Sequence, residues 1–195
     1  MPADNTIDTS ILKPGQILAR KSIELWDNFS LKLGSPYSEF IHYSILADPI
    51  GNSDDRNTFN ATARSVMSLV PLSSYAGQTV RVYSVKNGDI DFAYQEGKRM
   101  VEARVPYEGL NGWNYILRLL PAMFSYWLKH GFKPLPWDEI PNVDSPDKVN
   151  CLVLIRKCYP DLIPVNCGAT ACAFEQAYRD GRLILEQEGI IAGKI

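Results

Sequence analysis

Histidine is nearly missing from this chain: two in 195 residues, His42 and His130. Any mechanism built on an imidazole base, or on a cluster of imidazole metal ligands, has only these two to draw on. Cysteine is scarce as well. Cys151, Cys158, Cys167 and Cys172 are the only thiols, and all fall towards the C-terminal end. A chain of this length buries a core without disulfide staples, so free thiols in a reducing compartment are expected. The gaps between them are six, eight and four residues, with no histidine close by. Structural zinc sites pair their ligands about two to four residues apart, so no metal and no cofactor is expected.

Long apolar runs are absent too. None approaches the roughly 18 residues that a membrane-spanning helix needs. The opening residues, Met1-Pro2-Ala3-Asp4-Asn5, are polar and acidic rather than signal-like, so a cytoplasmic location is expected. Charge of one sign is lacking: the net charge is −2. The densest basic pairs are Arg20-Lys21, Lys98-Arg99 and Arg156-Lys157. A nucleic-acid binder displaces counterions with a basic stripe, so nucleic acid is not indicated as a partner. No glycine-rich phosphate loop, nucleophile elbow or metallopeptidase motif occurs.

What is present is ordinary globular composition, 46% hydrophobic and 22% charged. Residues 1–13 read as a flexible arm and 14–195 as one globular domain. Helical spacing of Leu18, Leu25, Trp26, Phe29 and Leu33 predicts a helix after Pro14-Gly15. Alternation predicts a strand over 38–47. A further helix is expected after the 48–55 loop, with Phe59, Ala63, Val66, Met67 and Val70 as its core face. The Asn87-Gly88 and Glu96-Gly97 pairs predict a three-stranded antiparallel meander over 79–86, 89–95 and 98–105. Ile90, Phe92 and Tyr94 would face inward, and Asp89 and Asp91 outward. Residues 111–130 form a strongly apolar helix that Pro121 should kink. Residues 131–147, with four prolines, form an extended connection. The run 151–155 suits either a short helix or a buried strand. Residues 168–187 read as a helix. The expected fold is therefore α+β: a meander at about 79–105 plus an N-terminal strand, packed with four to five helices.

Three groups of residues carry chemistry. Asn166-Cys167-Gly168-Ala169-Thr170 places a cysteine before a predicted helix, where free N–H groups lower a thiol pKa and bind an oxyanion. This stretch resembles the nucleophile segment of the SUMO-protease and adenain-like cysteine peptidases. The resemblance implies Cys167 as nucleophile and a histidine earlier in the chain, such as His130, as its base. The glutamine those peptidases carry just before the cysteine is missing, and Gly131 follows His130 where an aromatic residue is usual. The simpler reading of the stretch is a helix N-terminus packed through small residues. Across the expected meander, Asp91 would face Glu102, a pairing similar to the metal-holding carboxylates of restriction-endonuclease-like nucleases. Arg104 stands there in place of their lysine. Finally, Trp113, Tyr126, Trp127, Phe132 and Trp137 crowd one segment that ends in stiff, Pro-rich chain. Such residues anchor interfaces. The leading expectation is a non-enzymatic structural or assembly protein, self-associating or binding a protein partner through that surface. A thiol hydrolase using Cys167, or a nuclease using Asp91 and Glu102, are the alternatives.

Overall fold

A computed structural model describes residues 5–21, 39–49, 55–61, 66–107, 112–142 apart from 132 and 134, and 147–192. Its centre is a six-stranded antiparallel sheet in the order β4-β3-β2-β1-β5-β6. The strands are β1 (Ile17–Lys21), β2 (Phe40–Pro49), β3 (Arg56–Asn60), β4 (Ser68–Pro71), β5 (Thr79–Val85) and β6 (Leu183–Ile190). Four α-helices accompany them among the described residues: α1 (Ile90–Glu102), α2 (Gly112–His130), α3 (Cys151–Cys158) and α4 (Ala171–Arg179). The α+β class and the strand near residue 40 are as expected; the meander is not.

The central strands of the sheet are buried on both faces. Ile17, Ala19, Tyr43, Ile45 and Phe59 join one core with Met100 of α1, Ile155 of α3 and Phe174 of α4. Leu18, Leu46, Val80 and Val82 join a second core with Leu72, Tyr75 and Ile191. A central strand covered on both sides needs no alternation, and Ile17-Leu18-Ala19 has none. That explains why β1 stands where a helix was expected; residues 22–38 lie outside the description. Phe59 and Val70 likewise sit on paired strands rather than on one helix. Ile7 and Leu12 are buried in the second core, and the Ile7 amide donates to Ile190 at 2.9 Å. From residue 5 the chain is therefore docked rather than a free arm.

The predicted meander fails after its first strand. Asn87 does take positive φ, +58°, and ends β5. Asp89 then caps a helix: its carboxylate accepts the Phe92 amide at 2.8 Å. Ala93, Gly97 and Met100, spaced as one helix face, are the buried residues of α1. Phe92 is instead 46% exposed. Period-2 alternation and a short helical face overlap in such a segment, and the Asp89 cap decides between them. The strands flanking β5 are β1 and β6, drawn from the two ends of the chain. The helix expected over 168–187 stops at Arg179; Gly181, at φ +71°, turns the chain into β6.

Gly97 shows how closely α1 lies on the sheet. A Cβ there would meet the Phe59 ring at 2.6 Å. Gly97→Ala is therefore expected to destabilise by about 1–3 kcal/mol despite alanine's better helix propensity. Urea denaturation checks this; a gain in midpoint would show that the contact yields freely.

Candidate functional site

Most polar side chains on the sheet sit at its rim, but one group does not. Arg20 on β1 pairs in register with His42 on β2. The His42 Nε2 lies 3.0 Å from Asn60 Oδ1, at the end of β3. The Asn60 Nδ2 donates to the Tyr75 hydroxyl, and Tyr75 stacks near the His42 ring with centroids 6.4 Å apart. Thr58 and Ser44 also approach that hydroxyl, Ser44 without reaching good hydrogen-bond geometry.

This chain of bonds fixes the imidazole. With the Asn60 amide committed to Tyr75, its carbonyl faces His42, so His42 Nε2–H donates and Nδ1 keeps its lone pair. The ring also resists charging. Burial, and secondarily the Arg20 charge, push its pKa down to about 4, against a smaller upward pull from Asn60. His42 is therefore a neutral base at physiological pH, with one defined basic nitrogen. Burial holds the Tyr75 phenol above its ordinary value.

A thiol reaches the same strand from the helix side. Asn150 caps α3: its Oδ1 accepts the amides of Leu152 at 2.9 Å and Val153 at 2.8 Å. Cys151 is the first helical residue, and α3 packs on β2. The backbone amides of Tyr43 and Leu152 and its own, together with the Arg20 charge, pull the Cys151 thiol pKa down. Each of these favours a thiolate, but burial outweighs them and raises the pKa, so the resting group is a thiol. Tyr43 directly follows His42 in β2. Arg20 acts on Cys151, His42 and Tyr75 alike.

The residues singled out from sequence lie elsewhere. Cys167 precedes α4 by several residues, and Thr170 is the cap of that helix. Its thiol donates to the Pro164 carbonyl at 3.2 Å, its carbonyl accepts from Arg156 at 2.8 Å, and burial raises its pKa. His130 sits exposed at the end of α2 against the Tyr126 ring, 4.4 Å away. Among the described residues no hydrogen bond or ring contact joins His130 to Cys167. Asp91 and Glu102 lie in the first turn and at the last residue of α1, so they do not face one another across a ladder. Glu102 pairs with Lys98 at 3.9 Å. No cluster of three metal-binding side chains occurs among the described residues.

The aromatic segment is partly described. Tyr126 and Trp127 are half-buried, and the Trp127 indole donates to the Lys133 carbonyl at 3.0 Å. The side chains of Trp113, Phe132 and Trp137 lie outside the described residues. No described helix is long and apolar enough to cross a membrane.

The structure therefore holds two polar groups along β2, the His42–Asn60–Tyr75 chain and Cys151 at the capped start of α3, with Arg20 acting on both. No protein-family model matches the chain, and no curated protein matches its sequence. Among solved structures it is similar to the metalloprotein yiiX of Escherichia coli O157:H7, described as DUF1105. The identity is 14%, over 93% of this chain and 97% of that one, with a TM-score of 0.44. At that level the likeness carries no functional argument.

Proposed function

We propose that this chain is a thiol-dependent acyl-transfer enzyme, most simply a hydrolase of esters or amides, with Cys151 as nucleophile, His42 as base and Asn60 as the residue that orients it. One observation supports this: Cys151 stands at the capped first residue of α3, which packs on the strand that carries His42, with Arg20 acting on both groups.

The chemistry follows from the parts. His42 Nδ1 takes the thiol proton as Cys151 Sγ attacks the acyl carbonyl. The leaving group departs with that proton, and a thioester to Cys151 remains. Water, deprotonated by the same nitrogen, then releases the acid and restores the thiol. The N–H groups around the sulfur and the Arg20 charge steady the thiolate as it forms. Hydrolysis of p-nitrophenyl acetate tests this. A burst of nitrophenol close to one per chain, followed by slower turnover, is expected. A rate no greater than that of a Cys151→Ala chain, with no burst, contradicts it.

A different face of α2 from the one carrying Tyr126 and Trp127 is uncovered. Leu117, Leu120, Phe124 and Leu128 of α2 are 55%, 42%, 62% and 74% exposed. They recur at helical spacing, as one uncovered stripe. Docking through α2 is therefore proposed as a second property of the chain, separate from catalysis.

A further inference from the structure

From the charge pattern of α2 we infer that its exposed stripe seats on an anionic lipid surface; this rests on the docking role proposed for α2 and names its occupant. Between Gly112 and His130 the helix carries Arg118, Lys129 and His130 and no acidic residue, and Lys133 follows. This local excess of positive charge stands out in a chain whose net charge is −2. On a helical projection Ser125 and Lys129 flank the stripe of Leu117, Leu120, Phe124 and Leu128 along one edge, and both are exposed. The semi-exposed residues, Ala122, Met123, Tyr126 and Trp127, fill the opposite arc. Apolar groups with lysine at their margin are what a helix lying in a headgroup layer presents, since the stem stays with the acyl chains while the ammonium reaches phosphate.

Charge also argues against the other occupants. A second copy packed on this stripe would set Lys129 beside a helix that carries no acidic residue to pair with it. The helix is not apolar enough to span a bilayer, so it lies on the surface rather than crossing it.

Co-flotation of the full chain with vesicles tests the inference. Vesicles of phosphatidylcholine with about one-third phosphatidylserine are expected to carry the protein at low salt, and pure phosphatidylcholine to carry little. Phe124→Glu and Leu128→Glu replace exposed residues and should leave the fold intact by circular dichroism. Each is expected to lower partitioning about tenfold or more. Lys129→Glu should lower it on anionic vesicles only. Equal binding to both vesicle types, or anionic binding that Phe124→Glu leaves unchanged, overturns the lipid assignment. Sedimentation separates this from failure of the docking role itself. A concentration-dependent dimer lost in Phe124→Glu, without flotation, makes the occupant a second copy. A monomer that neither floats nor changes on mutation removes docking through α2 altogether.

Discussion

Cys151→Ser is expected to abolish the nitrophenol burst, and His42→Gln to slow acylation by about 10²- to 10⁴-fold, the range for loss of a positioned base. Glutamine is chosen because its amide can still donate to Asn60 Oδ1 and keep the polar chain to Tyr75 joined. What it removes is the basic nitrogen. Asn60→Ala should fall between the wild type and His42→Gln, since the imidazole survives without its fixed tautomer. Cys167→Ser is the control: its thiol is bonded to the Pro164 carbonyl, so the burst should persist. A burst that survives Cys151→Ser and disappears in Cys167→Ser would move the nucleophile to the segment that the peptidase resemblance marked.

The second large effect is on stability in acid. The His42 pKa is about 4 in the folded chain against an ordinary 6.5, through burial first and Arg20 second. Depressed in the fold, it makes the unfolded chain the better proton acceptor. The stabilisation is complete above about pH 6.5 and is lost as pH falls towards 4, by about 3 kcal/mol in all. Urea midpoints measured from pH 7 to 4.5 should fall steeply for the wild type and much less for His42→Gln. Parallel curves would mean that the ring is charged, or free to reach water, in the folded chain.

Legibility in the sequence tracked local chemistry. The β2 strand and the α2 helix were legible, because each carries a sustained pattern. The α2 helix runs on through Pro121 without ending. The α1 helix was not, because Asn87-Gly88 signals a turn but leaves the next element open. The deciding signal was Asp89, a capping residue placed three before Phe92. β1 was misread because a strand buried on both faces loses its alternation. The site was hidden for a related reason. The stretch 151–155 suited a strand or a helix equally, and only as a helix does Cys151 stand at an N-terminus. Asn150, directly before that apolar run, was the available hint. His42 was visible on the polar phase of its strand. Its partner Asn60 was not, because the segment around Phe59 was expected to be helical. Cys167 drew attention through a Cys-Gly pair, yet Thr170 caps the next helix.

The central claim is that one thiol of four is the nucleophile and that His42 activates it. The most direct measurement is a peptide map by mass spectrometry, after a brief exposure to substoichiometric p-nitrophenyl acetate at neutral pH and an acid quench. The account predicts the acetyl group on Cys151, and none on that residue in His42→Gln. Acetyl found on Cys158, Cys167 or Cys172 in preference, or on Cys151 to the same extent without His42, would contradict it.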